Sequence, residues 1–332
     1  MAGKTLTVGK LRGLSSTSTQ EGIFAILALD HRQALMKMID PLSPDLVSYE
    51  RVVALKKAFV GKLGDHVSAV LLDPIYGAAQ LIGSGSLPGS TGLMVALEQS
   101  GYTGEATRRI SQIQPGWSVQ KAKRIGADAI KLLVYYHPDT GDVARYQENL
   151  VHQVVAECQK ADIPLFLEVL TYSPDPEVDR ESKIFSETLP QVILRIADQL
   201  GRLGPDVMKL EFPLNIKFDM DEGHWAKACR QITEAAPCPW TLLSAGVEFG
   251  LFCRQIEVAC KSGASGYIAG RAVWREGIQL EGNLLFSWLD SIAVRRMKIL
   301  SELAAYYGKS WQEYYEPIDI RDLKDWYIGY EG

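Results

Sequence analysis

The chain has 332 residues, of which 47% are hydrophobic and 23% are charged, as in ordinary soluble globular proteins. Its net charge of −5 gives no reason to expect a nucleic-acid partner. No apolar run approaches the length of a membrane span, and the N-terminus lacks a signal-peptide core, so no membrane partner is expected. The cysteines are scattered without a CxxC pair, which indicates reduced thiols in a cytoplasmic protein: Cys158, Cys229, Cys238, Cys253 and Cys260.

Short apolar runs recur along the chain and predict the buried strands of a parallel sheet. They cover residues 23–29, 68–72, 92–97, 129–135, 165–170, 206–212, 240–244 and 266–269. Apolar residues at helical spacing predict helices at 43–63, 117–125, 143–160, 190–203, 222–235 and 248–262, with at most a short one inside 77–88. Strands that alternate with helices in this way predict an α/β fold, the (β/α)8 TIM barrel.

No linker divides the chain, so residues 1–332 are expected to form a single barrel domain with an extension at each end. Residues 15–19 are polar and predict a loose lead-in to the first strand. Residues 282–332 predict a long amphipathic helix followed by an aromatic, acidic tail. That tail is expected to pack on the barrel or on a partner subunit.

A charged residue, Lys209, lies inside the apolar strand predicted at 206–212. An unpaired buried ammonium is costly, so this lysine requires either a chemical role or a partner. A lysine in a dry pocket loses its proton more easily and can attack a carbonyl to form a Schiff base. The alternative is a structural ion pair with a buried acid, for which Glu211 is a candidate.

Further ionisable residues lie on neighbouring predicted strands or at their ends, where barrel enzymes place their active sites. Lys131 is expected close to Lys209, and each ammonium would depress the pKa of the other. Glu168 lies between them and could carry protons, or it could serve only as their counter-ion. Asp30 follows the first strand and could bind substrate hydroxyls or balance charge, with capping of the next helix as the alternative.

Small residues at the ends of the last two strands predict a phosphate site. Ser244, Ala245 and Gly246 follow one strand, and Gly270 and Arg271 follow the other. Small side chains let the backbone approach an anion, and the arginine adds a forked donor.

His31 and Arg32 come directly after Asp30 and are assigned to substrate binding, although such a histidine is often only a local hydrogen-bonding residue. The five histidines of the chain are dispersed, so no zinc ligand set is visible. No P-loop or dinucleotide fingerprint is present either. The sequence therefore predicts an enzyme without a metal or another cofactor.

Six motifs occur in order and carry a family resemblance. They are LALDHR at 27–32, AIKL at 129–132, LEVLTY at 167–172, VMKLEFP at 207–213, LSAG at 243–246 and AGR at 269–271. Together they resemble the class I tagatose-1,6-bisphosphate aldolases and their relatives, the sulfofructosephosphate aldolases. The resemblance covers about residues 22–277, which we take as the barrel core.

The resemblance implies a metal-independent aldolase that cleaves a ketose phosphate, first of all tagatose-1,6-bisphosphate, to dihydroxyacetone phosphate and glyceraldehyde 3-phosphate. It implies that Lys209 forms the Schiff base and that Glu168 is the general acid and base. Asp30 and Lys131 would balance charge and bind hydroxyls, and the loops after the last two strands would hold the phosphate of the dihydroxyacetone half. The chain departs from the family at His31, where a glutamine is usual.

Three alternatives use the same residues. A sulfofructosephosphate aldolase would accept a sulfonate on the aldehyde half, and a transaldolase would pass the three-carbon unit to a sugar acceptor. A non-catalytic barrel would bind a sugar phosphate and regulate a partner through the aromatic tail. In each case the expected ligand is a small sugar phosphate, and a homo-oligomer is expected.

Overall fold

The computed structural model describes residues 4–319, 321 and 323–330. Eight parallel strands, β2 to β9, close into a barrel in chain order, which confirms the predicted (β/α)8 fold. The strands are β1 (Lys4–Thr5), β2 (Phe24–Leu29), β3 (Ala69–Leu72), β4 (Gly92–Ala96), β5 (Ala129–Tyr135), β6 (Leu165–Leu170), β7 (Val207–Leu210), β8 (Trp240–Leu243), β9 (Gly266–Ala269) and β10 (Tyr315–Glu316). Residues 1–3, 320, 322 and 331–332 of the predicted domain and tail lie outside the described residues.

Twelve α-helices are assigned in the described part of the chain. They are α1 (Val8–Thr17), α2 (Gln33–Ile39), α3 (Tyr49–Leu63), α4 (Ala78–Gly83), α5 (Val119–Arg124), α6 (Asp142–Lys160), α7 (Lys183–Gly201), α8 (Glu222–Ala235), α9 (Phe249–Lys261), α10 (Arg271–Trp274), α11 (Gly282–Trp288) and α12 (Val294–Tyr307). A π-helical stretch, Leu289–Ala293, joins the last two into the long C-terminal helix that the sequence predicts. Among the described residues, no helix combines the length and apolarity needed to cross a membrane.

The lower part of the barrel interior is filled by apolar side chains that point inward from alternate strand positions. Phe24 of β2 and Phe166 of β6 meet there edge to face, with ring centroids 5.1 Å apart. This packed layer closes the interior, so polar side chains further along the same strands face a cavity that opens only at the carboxyl ends of the strands.

Three sequence predictions are wrong. The helix expected from residue 43 begins at Tyr49, where the Ser48 hydroxyl accepts a hydrogen bond from the Arg51 amide at 3.2 Å. The helix expected from residue 190 begins at Lys183, where the Ser182 hydroxyl accepts a hydrogen bond from the Phe185 amide at 3.2 Å. Pro190 lies inside that helix, at a half-buried position, rather than at its start. The polar lead-in is also not loose, because α1 covers residues 8–17 and packs beneath the barrel, with Thr17 fully buried.

The first and last described strands, β1 and β10, meet at the floor of the barrel. β1 and β10 form a separate two-stranded parallel sheet. The buried Lys10 ammonium pairs with Asp206 at 2.8 Å, and the Tyr315 hydroxyl donates to the Asp206 carbonyl oxygen at 2.6 Å. Trp311 is buried and donates to the Ser18 hydroxyl at 2.9 Å. The expected packing of the tail on the barrel is therefore confirmed for its first aromatic residues, whereas Trp326 is exposed.

Candidate active site

A cavity of about 430 Å³ lies at the carboxyl ends of the barrel strands. All of the predicted site residues except Gly246 line it: Asp30, His31, Arg32, Lys131, Glu168, Lys209, Ser244, Ala245, Gly270 and Arg271. Gly246 lies beside it, since a Cβ atom at that position would be 3.3 Å from Nε of Arg271. The structure also brings in residues that the sequence analysis did not assign to the site: Glu98, Arg109, Tyr135, Thr171, Arg180 and Glu211.

Lys209 and Glu168 face each other across two adjacent strands. They are register partners of β7 and β6, so both side chains project to the interior at the same level. The Lys209 ammonium is 2.9 Å from Oε2 of Glu168, and both side chains are more than nine-tenths buried. This pair places an amine and a carboxylate side by side on the floor of the cavity.

The alternative prediction, an ion pair between Lys209 and Glu211, is wrong. Glu211 forms a salt bridge with the Arg180 guanidinium and accepts the Thr171 amide at 2.8 Å. Burial raises the pKa of Glu211 although the Arg180 charge opposes that shift. The pair links the loop after β6 to the end of β7, and it leaves Lys209 to Glu168.

Lys131 lies at the centre of a cluster of carboxylates. Its ammonium donates to Asp30 at 2.8 Å and to Glu98 at 2.6 Å, and it lies 2.8 Å from Glu168. Burial opposes its charge, but the three carboxylates outweigh burial and raise the pKa of Lys131 well above its usual value. The expectation that Lys209 would depress this pKa is therefore wrong, because the acidic neighbours of Lys131 outnumber the second ammonium.

The same contacts keep two of the carboxylates ionised. Burial alone would raise the pKa of Glu168 and of Asp30. The charges of the nearby Lys131 and Lys209 ammonium groups outweigh burial, so both pKa values lie below their ordinary values. Asp30 does not cap the next helix, because the first turn of α2 has no side-chain cap. The structure thus places Asp30 in the charge network.

Glu98 is the site residue that the sequence analysis missed most clearly. It is buried, binds Lys131, and accepts the Leu133 amide at 3.0 Å. The signal was present, because Glu98 directly follows the run predicted at 92–97, as Asp30 follows the run at 23–29. The criterion that identified the other site residues, an ionisable residue at the end of a predicted strand, therefore applies to Glu98 as well.

His31 and Arg32 take different positions at the cavity wall. The His31 ring lies edge to face against Trp274, with centroids 5.2 Å apart, and its Nδ1 is 3.6 Å from Asp30. Burial lowers the pKa of His31 to about 4, so the ring is neutral at pH 7. Arg32 donates to the Gln114 side chain at 3.0 Å and to the Glu98 carbonyl at 2.6 Å, so it fastens the β4–β5 connection.

The loops after β8 and β9 form one continuous wall. Ser244 accepts the Gly270 amide at 3.3 Å, and the chain then passes through positive φ angles at Ala245 and Gly246. Arg271 opens α10 beside Gly246. Burial and the neighbouring charge of Arg275 lower the pKa of Arg271, and such an electropositive corner favours a bound anion. The geometry suits a phosphate.

No group of three or more His, Cys, Asp and Glu side chains in the described residues is arranged to hold a metal ion. In the acidic cluster at the cavity floor, the Lys131 ammonium takes the central position between the carboxylates.

Comparison with known proteins identifies the family. The chain matches the DeoC/LacD family aldolases over residues 24–276. It is 30% identical over 326 residues to tagatose 1,6-diphosphate aldolase 2 of Streptococcus agalactiae serotype III, covering 93% of this chain and 99% of that protein. It is 32% identical over 327 residues to the tagatose 1,6-diphosphate aldolase of Lactococcus lactis subsp. lactis, again covering 93% and 99%.

Two solved structures share the fold. One is a Schiff-base-forming fructose-1,6-bisphosphate aldolase, with a TM-score of 0.59, 21% identity, and coverage of 88% of this chain and 98% of that chain. The other is the fructose-bisphosphate aldolase of Plasmodium falciparum, with a TM-score of 0.70, 14% identity, and coverage of 93% and 98%. The resemblance drawn from the sequence motifs is confirmed. The chain belongs to the DeoC/LacD aldolase family and is a lyase.

Proposed function

We propose that this protein is a class I aldolase that cleaves a ketohexose 1,6-bisphosphate, preferably tagatose 1,6-bisphosphate, to dihydroxyacetone phosphate and glyceraldehyde 3-phosphate. The observation that carries the proposal is the buried pair of Lys209 and Glu168, 2.9 Å apart on the floor of the cavity. The names of the curated relatives support the substrate, and the Schiff-base aldolase of similar fold supports the chemistry.

The first half-reaction forms the Schiff base. Glu168 takes a proton from the Lys209 ammonium, and the neutral amine attacks the C2 carbonyl of the ketose. A proton moves from the nitrogen to the former carbonyl oxygen, and the carbinolamine so formed loses its hydroxyl as water, with the second proton supplied by the carboxylic acid of Glu168. The nitrogen lone pair forms the C=N bond as water leaves, and the product is a cationic iminium on Lys209.

The iminium then serves as the electron sink for cleavage. Glu168, again a carboxylate, accepts the proton of the C4 hydroxyl as the C3–C4 bond breaks. The bonding electrons move to C3 and neutralise the iminium as an enamine, while the C4 oxygen becomes the carbonyl of the departing aldehyde. Protonation at C3 and hydrolysis of the iminium release dihydroxyacetone phosphate and restore Lys209.

The acidic cluster has a supporting role in this scheme. Lys131 keeps its proton, because Asp30, Glu98 and Glu168 surround it. Its fixed positive charge favours the ionised form of Glu168, so the base is ready before the substrate binds. Asp30 lies at the edge of the cluster, where its carboxylate can accept hydrogen bonds from substrate hydroxyls.

The phosphate on C1 is assigned to the wall formed by the loops after β8 and β9. Ser244 and Gly270 hold these loops together, and Gly246 lets the backbone pass close to Arg271. A guanidinium and small residues at this end of a barrel form a typical phosphate site. An anchored C1 phosphate places the adjacent C2 carbonyl over the central Lys209.

Borohydride trapping tests the proposal directly. The protein is reduced in the presence of tagatose 1,6-bisphosphate, fructose 1,6-bisphosphate or 6-deoxy-6-sulfofructose 1-phosphate, and the modified peptide is identified by mass spectrometry. We expect reduction to leave an adduct on Lys209, and we expect the unreduced protein to release dihydroxyacetone phosphate and to keep full activity in EDTA. An adduct on another residue, no adduct with any ketose, or loss of activity in EDTA would contradict the proposal.

A steady-state cleavage assay with the same three ketoses ranks the alternatives. The relative kcat/KM values for the three ketoses identify the preferred stereochemistry and the anion on the aldehyde half. Product analysis with and without an added sugar aldehyde separates a lyase from a transaldolase, because only a transaldolase depends on the acceptor to release its three-carbon unit.

A further inference from the structure

Four of the six lysine and arginine side chains that line the cavity already have partners within the protein. Lys131, Lys209 and Arg180 each form a salt bridge with a carboxylate. Arg32 donates both of its terminal nitrogens to oxygen atoms of the protein. The two remaining cations that line the cavity, Arg109 and Arg271, have no salt bridge to any residue that the structure describes. These two guanidinium groups are therefore the ones available to an anionic ligand.

Arg109 is held in a cage of three aromatic rings. Its guanidinium carbon lies 4.7 Å from the centroid of the Tyr102 ring, 5.1 Å from Tyr172 and 5.6 Å from Tyr135. Its Nε donates to the Ala106 carbonyl oxygen at 2.9 Å. Aromatic faces stabilise a guanidinium through its plane and leave its edges free. Within the described residues, its terminal nitrogens have no hydrogen-bond acceptor.

The two guanidinium groups lie on opposite sides of the barrel mouth. Arg109 packs on Tyr135, the last residue of β5, whereas Arg271 follows the end of β9 after one residue, Gly270. In the closed order of strands, β5 and β9 are diametrically opposed, and β7 with Lys209 lies midway between them. An extended ligand with an anion at each end would thus pass over Lys209.

We propose that Arg109 binds the anionic group at the far end of the ketose, a phosphate or a sulfonate on C6. This inference rests on the proposed function, because it assigns the second end of the same substrate. A planar guanidinium can bind either anion through two parallel hydrogen bonds. The tyrosine cage fixes that group in advance, so little side-chain entropy is lost on binding. Arg109 thereby selects ketoses that are charged at both ends.

Arg109→Ala tests this assignment, with Arg108→Ala as the matched control. Arg108 is the adjacent residue on the same loop, but it is exposed, pairs with Asp142 and does not line the cavity. Each variant is assayed with a ketohexose 1,6-bisphosphate and with the ketohexose 1-phosphate of the same stereochemistry. Arg109→Lys is added because lysine keeps the positive charge but cannot form the two parallel hydrogen bonds of a guanidinium.

We expect Arg109→Ala to reduce kcat/KM for the bisphosphate by about 10- to 100-fold, the effect of losing charged hydrogen bonds. Cleavage of the 1-phosphate should change by less than about 3-fold, since that substrate has no second anion, and Arg109→Lys should be intermediate. An unchanged kcat/KM for the bisphosphate, or an equal loss with both substrates, would overturn the inference.

The outcomes separate the inference from the function on which it rests. If the wild-type protein forms no borohydride adduct with either ketose, the proposed function fails. If the adduct forms normally but Arg109→Ala does not discriminate between the substrates, only the role of Arg109 fails. Wild-type kcat/KM values for the 6-phosphate and the 6-sulfonate of otherwise matched ketose 1-phosphates show which of the two anions Arg109 prefers.

Discussion

Lys131 and Lys209 contact the same oxygen atom. Their ammonium groups lie 2.8 and 2.9 Å from Oε2 of Glu168, one from each neighbouring strand. The two lysines nevertheless differ, because Lys131 also contacts Asp30 and Glu98. A single proton transfer to Glu168 neutralises the salt-bridge partner of Lys209 but leaves Lys131 with two other carboxylates. The arrangement therefore supports our proposal that Lys209 is the nucleophile and that Lys131 is a fixed charge.

Lys209→Met should abolish both turnover and borohydride trapping. Loss of the nucleophile removes the covalent route, so kcat should fall by at least about 10³-fold. The variant should still fold, because Glu168 keeps its contact with Lys131 and methionine has a similar length. A stopped assay for dihydroxyacetone phosphate and mass spectrometry after reduction check this outcome. A trapped adduct in the variant would place the Schiff base on another lysine.

Lys131→Met should move the acid limb of the pH profile for kcat/KM to higher pH. The Lys131 charge lowers the pKa of Glu168 more than any other charge does, so its removal raises that pKa. Glu168 then accepts a proton at a higher pH, and the base is lost earlier as the pH falls. Borohydride should still trap Lys209 in this variant, because the nucleophile is present.

Lys10→Met is the matched control for Lys131→Met. Lys10 is also buried and paired with a carboxylate, Asp206, but it lies at the floor of the barrel away from the cavity. Its loss should destabilise the fold by about 3 kcal/mol and leave the acid limb in place. If both variants shift the acid limb equally, or if neither does, the electrostatic role of Lys131 is refuted.

His31→Gln should flatten the pH dependence of stability on the acid side. In the folded protein burial lowers the pKa of His31 to about 4, whereas an unfolded chain has an ordinary value of about 6.5. Between these values the unfolded state binds the proton and the folded state does not, so folding weakens as the pH falls. Replacing His31 should remove roughly 3 kcal/mol of this loss between pH 7 and pH 4.

Urea unfolding at several pH values between about 4 and about 7 measures that effect. Glutamine cannot titrate, so the difference in unfolding free energy between variant and wild type should grow in favour of the variant toward the acid end. A constant difference across the range would show that His31 does not carry the pH dependence.

Gly266→Ala should destabilise the barrel strongly, whereas Gly61→Ala should not. Gly266 opens β9 at φ +126°, and a Cβ atom there would overlap the Phe24 carbonyl oxygen. We expect a loss of at least about 3 kcal/mol in unfolding free energy. Gly61 lies in α3, where a Cβ atom would meet no described atom within 4 Å beyond its own helix, so alanine should stabilise by about 0.5–1 kcal/mol. Thermal and urea unfolding compare the two.

The strands were predictable because parallel barrel strands are apolar on both faces. The runs at 129–135, 165–170 and 266–269 match β5, β6 and β9 at both ends. Ionisable side chains stand out against such runs, which is why Lys131, Glu168 and Lys209 could be assigned to one cavity before their distances were known.

Other features depend on contacts between distant segments, and local patterns do not encode them. Glu211 pairs with Arg180, which lies on a loop 31 residues earlier in the chain, so proximity along the strand suggested the wrong partner. The predicted start of α7 was wrong for a related reason. A proline is usually found in the first turn of a helix, but Pro190 lies within a helix that packs on the barrel. The tyrosine cage of Arg109 likewise forms only when three segments fold together.

The junction of the two chain ends beneath the barrel has a consequence for biosynthesis. Lys10 leaves the ribosome early, but Asp206 follows it only 196 residues later, and the strand that pairs with β1 lies at Tyr315–Glu316. β1 and Lys10 therefore cannot complete these contacts until most of the chain has been translated, although α1 can already meet Ser68 and Asp162. A nascent chain that stalls before β10 lacks the strand that pairs with β1, so that part of the underside of the barrel stays uncovered.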